Sequence, residues 1–329
     1  MPEKLFTYFG NKQRIAKLVW DLFGTDNRSY VEPFAGCASV LLHSPVKHSF
    51  ECINDIDCYV ANAHRATKYH PKEVTRHLYY TRCEIDLWAR HDYLINHKKD
   101  FTIEMLREDP TYCNPELAAW WIWGSNLWLG GNFCTEGALK TNCKPVSRNQ
   151  GVLSTMSRKP VSCNQGVLST MSRKPVSRNK GILSMSDASS HIIKLRDRIQ
   201  DVYERLIDVN ILCGDWKRCV THSYTTSFGK CAIFLDPPYP GESKADVYDN
   251  NSLDGSVFNE CKDYFLKNYK NPNMRIILCG ADNFWADCPA DVHKVYWRRG
   301  SGYAKDKADI REEVLWCSDA CLFNDTKGE

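Results

Sequence analysis

The feature that most constrains the fold is a series of short apolar runs separated by segments with helical periodicity. The runs predict strands at Ser29–Val31, Ser49–Asn54, Val209–Cys213, Ala232–Leu235, Arg275–Leu278 and Glu313–Trp316. Apolar residues at helical spacing predict helices at Arg14–Phe23, around Val40–Leu42, at Asp187–Ile207 and at Phe258–Tyr269. Val60 to about Leu139 is predicted to be helical and is rich in aromatic residues. Strands that alternate with helices predict an α/β fold with an open, mostly parallel sheet.

Unusual residues follow four of these strands. Glu32 to Gly36 follow the first, Asp55 the second, Asp215 the third, and Asp236 to Tyr239 the fourth. Because ligands of such sheets bind beyond the carboxyl ends of the strands, we expect these residues to converge on one edge. The first turn reads EPFAG rather than Gly-x-Gly-x-x-Gly, so it lacks a cradle for a pyrophosphate. A nucleoside without phosphates fits this turn better than a nicotinamide cofactor does.

The segment DPPY, Asp236–Tyr239, stands directly after the apolar run CAIFL. Two consecutive prolines cannot continue a strand or a helix, and they fix the backbone between the acid and the ring. Taken alone, the segment is also consistent with a stiff turn that carries a stacked tyrosine and has no role in binding. An acid after a strand is also commonly a helix cap or a loop residue.

Five motifs follow one another along the chain: TYFGNK (Thr7–Lys12), EPFAGCAS (Glu32–Ser39), NDID (Asn54–Asp57), GD (Gly214-Asp215) and DPPY (Asp236–Tyr239). Taken together and in this order, they resemble the motifs of the Dam-like DNA adenine methyltransferases. That family transfers a methyl group from S-adenosylmethionine to the exocyclic amine of adenine in duplex DNA. The resemblance covers roughly residues 5–65 and 205–317 and is loose in between.

The resemblance implies a Rossmann-like S-adenosylmethionine-dependent methyltransferase fold with an inserted helical target-recognition subdomain. Residues 1–66 and 190–329 would form the catalytic, cofactor-binding domain, and residues 67–189 the insertion that recognises DNA. The partner is then double-stranded DNA, and a cognate restriction endonuclease is a further candidate partner. The chain would be cytoplasmic and encoded by a bacterium or a phage.

The resemblance also implies roles for individual residues. It assigns cofactor contacts to Tyr8, Lys12, Glu32, Pro33, Phe34, Ala35, Gly36, Asp55, Asp215 and Asp236. Among these, Glu32 to Gly36 would wrap the methionine moiety and Asp55 would hold the ribose hydroxyls. The sequence departs from the family pattern at Asn11, where a second glycine is usual, and at Trp216, where phenylalanine is usual.

The chemistry explains why the catalytic segment, Asp236, Pro237, Pro238 and Tyr239, needs these residue types. The lone pair of an aromatic amine is delocalised, so the amine is a poor nucleophile. Hydrogen bonds from the amine to the Asp236 carboxylate and the Pro237 carbonyl would favour a tetrahedral nitrogen that attacks the methyl group in line. Tyr239 would stack on the base once it is flipped out of the helix. Neither a metal nor a strong general base is required.

A basic repeat lies between the two halves of the resemblance. A unit that begins with KPVS recurs with a period of 15 residues from Lys144 to Ser186, and every copy holds Pro and Gly. Nine basic residues and no acid lie between Lys140 and Ser186, so a net charge of +3 for the chain leaves −6 outside this segment. The repeat is either a tandem-duplicated surface loop or an ordered element that contacts DNA phosphates. The predicted DNA contacts are Lys144, Arg148, Arg158, Lys159, Arg173 and Lys174, together with Arg298 and Arg299 in a second basic loop before the last strand.

Composition excludes several other classes. The 16 cysteines are scattered with no Cys-x-x-Cys pair, which favours free thiols over a metal site or a disulfide framework. No apolar run is long enough for a membrane span, and the first residues have no apolar signal core. Three alternatives remain open: methylation of the cytosine amine, methylation of RNA, and a non-catalytic DNA-binding module that keeps the fold.

Overall fold

The computed structural model describes residues 2–8, 10–78, 84–98, 103–128, 133–134, 185–239, 255–299 and 311–323. These residues form two compact units. The sheet unit holds the described residues of Lys12–Ile56, Asp208–Ser243 and Asn250–Glu329. The helical unit holds those of Met1–Asn11 and Asp57–Ile207. The division into a catalytic and a DNA-recognising segment at residues 66/67 and 189/190 stays a prediction.

The sheet unit is built on a seven-stranded sheet. Its strands are β1 (Ser29–Glu32), β2 (Phe50–Asp55), β3 (Val209–Cys213), β4 (Cys231–Leu235), β5 (Met274–Gly280), β6 (His293–Arg299) and β7 (Arg311–Cys317). Their order is β3-β2-β1-β4-β5-β7-β6. The strands β1 to β5 pair with one another in parallel, whereas β7 runs antiparallel to both β5 and β6. A mixed α/β fold of this kind is consistent with a methyltransferase fold, as predicted.

The central strands are apolar because both of their faces are covered. All residues of β4 and β5 are buried, which is typical of parallel strands between helical layers. The sheet unit contains the helices α1 (Ala16–Phe23), α2 (Ser39–Leu42) and α9 (Ser256–Asn268). Three residues of α9 at helical spacing, Phe258, Cys261 and Phe265, are buried in the same core as β4 and β5.

The helical unit contains α3 (Cys58–Tyr69), α4 (Pro71–His77), α5 (Glu84–Asn96), α6 (Ile103–Glu108), α7 (Pro115–Leu127) and α8 (Met185–Leu206). Local capping explains where α7 begins, since the Asn114 side chain accepts a hydrogen bond from the Leu117 backbone amide at 3.1 Å and Pro115 occupies the first turn. Trp121 is buried on α7 and packs edge-to-face on Phe6, with 4.6 Å between ring centroids. None of the described helices is long and apolar enough to cross a membrane.

One structural prediction is wrong. Arg298 and Arg299 were expected in a basic loop, but their backbones form the end of β6 and pair with Glu312 and Arg311 of β7. The sequence of β6, HKVYWRR, is rich in charge because β6 is the outermost strand and pairs with β7 alone. Asn126 lies in α7 and donates a hydrogen bond to the Leu5 carbonyl at 3.0 Å.

Candidate active site

The carboxyl ends of the parallel strands bring the predicted site residues of the sheet unit to one edge. Glu32 ends β1, Asp55 ends β2, Gly214 follows β3 and Asp236 follows β4. Because β3, β2, β1 and β4 are consecutive and parallel, these residues share one edge of the sheet.

Glu32 is buried at the junction of β1 and α2. Its Oε2 accepts hydrogen bonds from the Tyr30 hydroxyl at 3.0 Å and from the Leu41 backbone amide at 3.1 Å. Burial raises the pKa of Glu32 to about 8, although these two hydrogen bonds act in the opposite direction. The carboxyl group therefore connects the strand to the helix that follows it, and its raised pKa favours the protonated form at neutral pH.

The EPFAG turn is fixed by the residues at the end of β2. Asp55 Oδ2 accepts a hydrogen bond from the Gly36 backbone amide at 2.8 Å, and the Asn54 side chain donates to the Pro33 carbonyl at 2.9 Å and to the Gly214 carbonyl at 3.0 Å. Gly36 has a φ of 48°, in the left-handed region that glycine adopts without steric cost. The first three strands are thus tied together where they end. Ala35, also in this turn, is buried and donates its amide to the Asn54 carbonyl at 2.9 Å.

An aromatic pair and an exposed acid lie at the end of β3. The half-buried Phe34 ring packs on the buried Trp216 ring, with 5.8 Å between centroids. Asp215 is exposed, and its carboxylate accepts a hydrogen bond from the Lys217 backbone amide at 2.8 Å. Asp215 therefore starts the short 3-10 helix Trp216–Cys219, and it also presents negative charge beside the aromatic pair.

The centre of the site is a buried ion pair. Lys12 Nζ lies 2.7 Å from Asp236 Oδ2, and the two side chains are 6% and 17% exposed. The same ammonium lies 5.3 Å from the centroid of the Tyr239 ring. Burial disfavours the charge on Lys12, but the attraction of Asp236, Cys279 and Glu313 outweighs it and holds the pKa of Lys12 above its ordinary value. Pro237 is buried and Pro238 is half-buried between the acid and the ring.

Two residues of this cluster were not predicted from the sequence. The Tyr239 hydroxyl lies 3.1 Å from Glu313 Oε2, 3.3 Å from Cys279 Sγ and 3.4 Å from Asp236 Oδ1. Glu313 comes from β7 and Cys279 from β5, and both are buried. The one sequence signal for Glu313 is that a charged residue begins the otherwise apolar predicted strand Glu313–Trp316.

The remaining predicted site residues belong to the helical unit or lie outside the described residues. Tyr8 belongs to the helical unit, where its ring packs edge-on against Phe6 with 6.4 Å between centroids, and its cofactor role stays a prediction. Lys144, Arg148, Arg158, Lys159, Arg173 and Lys174 lie outside the described residues. Among the residues that the structure describes, no group of three or more His, Cys, Asp or Glu side chains could hold a metal ion.

Comparison with known proteins supports the same family as the motifs. Residues 8–121 match the family of D12 class N6 adenine-specific DNA methyltransferases. The matched stretch contains Lys12, the EPFAG turn and Asp55, and it ends before Asp215 and Asp236. No curated protein matches the chain. The family match confirms the resemblance to the Dam-like adenine methyltransferases over residues 8–121 and supports the predicted adenine-specific DNA methyltransferase activity.

Proposed function

We propose that the chain methylates the exocyclic amine of adenine in double-stranded DNA, with S-adenosylmethionine as the methyl donor and with the target base flipped out of the helix. The observation that carries this proposal is the ion pair of Lys12 and Asp236 at the end of β4, with Tyr239 three residues further on. A carboxylate held in this place provides a hydrogen-bond acceptor for the adenine amine. The aromatic ring beside it provides a surface on which the base can stack.

The residues at the ends of β1 to β3 suit the chemistry of this cofactor. Its ribose hydroxyls and its amino group are hydrogen-bond donors, and Asp55 and Asp215 offer carboxylate acceptors. A carboxylate has about four lone-pair sites, so Asp55 can accept from a ribose hydroxyl in addition to the Gly36 amide. In the EPFAG turn, the half-buried Phe34 ring offers an apolar surface. When bound there, the cofactor would supply an activated methyl group on a sulfonium.

Asp236 and Pro237 direct the amine. The Asp236 carboxylate accepts one amine hydrogen bond and the Pro237 carbonyl accepts the other, so that the lone pair of the nitrogen points away from both. Because Pro237 and Pro238 restrict the backbone, the two acceptors keep a fixed relation and no reorganisation is needed at the moment of reaction. Formation of the N–C bond, with cleavage of the donor's S–C bond to leave a thioether, would give the nitrogen one surplus proton, which the Asp236 carboxylate can accept. Stacking on Tyr239 holds the base in this orientation.

DNA recognition is proposed to reside in the inserted segment 67–189, including the basic repeat at 144–186. Lysine and arginine side chains that neutralise phosphates supply affinity without sequence information, so the repeat would strengthen binding to any duplex. Arg298 and Arg299 end β6 at the carboxyl edge of the sheet, where basic side chains could also meet the DNA backbone. A cognate endonuclease and a cytoplasmic location in a bacterial or phage-infected cell complete the proposal.

The direct test is incorporation of label from tritiated S-adenosylmethionine into unmethylated duplex DNA, followed by digestion to nucleosides. The expected product is N6-methyladenine. Label in cytosine would contradict the adenine assignment, and label only in RNA would contradict the DNA assignment. Tight cofactor binding with no incorporation into any nucleic acid would identify a non-catalytic module instead.

The role of the repeat is tested by deletion of its second copy, Lys159–Arg173. This copy carries two of the proposed phosphate contacts, Lys159 and Arg173. If both meet phosphates, the slope of log affinity against log salt concentration should become less steep by up to about 1.8. An unchanged slope would show that this copy is only a surface loop.

A further inference from the structure

Glu313 is an unusual residue for its position in the sheet. It lies in β7 next to Val314, which pairs with Gly280 at the carboxyl end of β5, and its side chain is buried. Burial of a carboxylate is unfavourable unless other groups compensate for it. Here the compensation comes from the ammonium of Lys12, whose charge Glu313 also stabilises, and from the Tyr239 hydroxyl. The cluster thus holds two carboxylates, Asp236 and Glu313, around one lysine.

The Tyr239 hydroxyl has one proton and three acceptors within reach. The shortest separation is the 3.1 Å to Glu313 Oε2, compared with 3.3 Å to Cys279 Sγ and 3.4 Å to Asp236 Oδ1. Burial, together with the neighbouring Cys279, Asp236 and Glu313 side chains, raises the pKa of Tyr239 well above its ordinary value. The hydroxyl therefore keeps its proton and acts as a donor, and sulfur is the weakest of the three acceptors.

The choice of acceptor matters for the proposed reaction. Asp236 Oδ2 already faces Lys12 at 2.7 Å, so Oδ1 is the oxygen that would accept from the target amine. A Tyr239 proton donated to Oδ1 would compete with the amine for the lone pairs of that oxygen. A proton donated to Glu313 does not compete, and it also fixes the hydroxyl end of the ring on which the base is proposed to stack.

We propose that Glu313 is a positioning residue for methyl transfer: it accepts the Tyr239 hydroxyl proton, holds the ring in its stacking orientation, and preserves Asp236 Oδ1 as an acceptor for the adenine amine. This inference rests on the proposed function and adds a residue from β7 to it. Glu313 acts through Tyr239 and does not itself touch the substrate.

The test is a double-mutant cycle on kcat for methyl transfer to duplex DNA, with Glu313→Leu, Glu313→Gln, Tyr239→Phe and the two combinations with Tyr239→Phe. Leucine removes the acceptor, and E313L should lower kcat by about 10-fold to 100-fold, as expected for loss of a hydrogen bond to a charged group. Glutamine keeps an oxygen but not the charge, so E313Q should lie between E313L and the wild type. In the Y239F background, each change at position 313 should alter kcat by less than about twofold. The reason is that Glu313 is proposed to act through the hydroxyl that phenylalanine lacks, so the effects of the two residues are coupled and do not add. The cofactor KM should change little in every variant.

Several results would overturn the inference. The first is a wild-type kcat for E313L. The second is a double variant in which the effects of E313L and Y239F on kcat multiply, because a merely structural role of Glu313 would be independent of the Tyr239 hydroxyl. If E313L does not fold, the same cycle with E313Q decides the question.

Glu51→Gln serves as the matched control, since Glu51 is also a buried carboxylate in the sheet and is hydrogen-bonded to His48 at 3.0 Å. Its replacement should leave kcat within about twofold of wild type. A wild-type chain that methylates no adenine overturns the proposed function and the inference together, whereas normal wild-type activity with an uncoupled Glu313 overturns the inference alone.

Discussion

Two lysine–aspartate pairs of the sheet unit have the same length and different surroundings. Lys12 and Asp236 lie 2.7 Å apart at the carboxyl edge of the sheet, and Lys17 and Asp21 lie 2.7 Å apart on α1. The first pair is 6% and 17% exposed, whereas the second is 87% and 47% exposed. The first joins residues 224 positions apart, and the second joins residues one helical turn apart.

The contrast shows that distance alone does not measure the importance of an ion pair. Water screens the Lys17–Asp21 pair, and exposed pairs of this kind contribute about 0.3–0.5 kcal/mol. Lys12 and Asp236 are largely shielded from solvent, so the attraction is stronger and each charge depends on its partner. A buried pair that must overcome its own desolvation is weak evidence for stability as such, and its position beside Tyr239 is consistent with the role proposed for Asp236 in methyl transfer.

The largest expected effect comes from the acid of the buried pair. Asp236→Asn keeps the shape of the side chain but replaces a carboxylate oxygen with a donor that cannot accept from the amine. We expect kcat for methyl transfer to fall by at least about 100-fold, comparable to the loss of one preorganised group at a reaction centre. DNA binding, measured by fluorescence anisotropy, should be retained. Asp21→Asn on α1 is the matched control and should retain full activity. A fully active D236N variant would remove Asp236 from the mechanism.

The lysines of the two pairs should differ in their effect on stability. Lys12→Met leaves Asp236 and Glu313 without their cation, and breaking a buried pair in this way costs about 3 kcal/mol or more of unfolding free energy. Lys17→Met should cost less than about 0.5 kcal/mol. Both values are measured by denaturant unfolding at pH 7. Equal losses in the two variants would show that the Lys12–Asp236 pair is screened as effectively as the exposed one.

Glu32 extends the comparison to a buried acid that forms no ion pair among the described residues. Its pKa is raised to about 8 by burial, from about 4.3 for an exposed glutamate in the unfolded chain. A raised folded-state pKa means that the stability contributed by the protonated form is complete below about pH 4 and is lost as the pH rises toward 8. The unfolding free energy should therefore fall between pH 5 and 8 by up to about 1.4 kcal/mol per pH unit relative to Glu32→Gln. Unfolding curves of both proteins across this range, with D21N as a control for an exposed acid, test the prediction. Parallel pH profiles for wild type and E32Q would contradict it.

The smallest expected effect comes from reversal of the exposed pair. Lys17 lies in the first turn of α1 and Asp21 in its last turn, which is the unfavourable arrangement for a helix dipole. The double change Lys17→Asp with Asp21→Lys keeps the pair and places each charge at the favourable end. Thermal unfolding should show a gain of about 0.5 kcal/mol, with methyl transfer unchanged. A loss of stability would indicate that the surroundings of α1, and not its dipole, decide the sign.

The sequence predicted those parts of the molecule that depend on local patterns. The strands β1 to β5 were found because each is an apolar run, and the strand ends were found because acids and prolines interrupt those runs. The outer strand β6 was missed because its sequence, HKVYWRR, has no continuous apolar run, and the described side chains from His293 to Trp297 are exposed or half-buried. The contact of Tyr239 with Glu313 joins residues 74 positions apart, and it depends on β7 lying beside β5, which no spacing along the chain reveals.

The hydrogen-bond register of β6 and β7 has a consequence for how such a protein can diversify. Arg299 pairs with Arg311, and these residues lie beyond the pairing of Val314 with Gly280 at the carboxyl end of β5. The end of β6 and the start of β7 are therefore adjacent, at the same edge of the sheet as Asp236. Exchanges at these two strand ends would change the charge at that edge while every strand keeps its neighbours. The paired ends of β6 and β7 are accordingly a place where evolution, or an engineer, can alter this edge without redesigning the sheet.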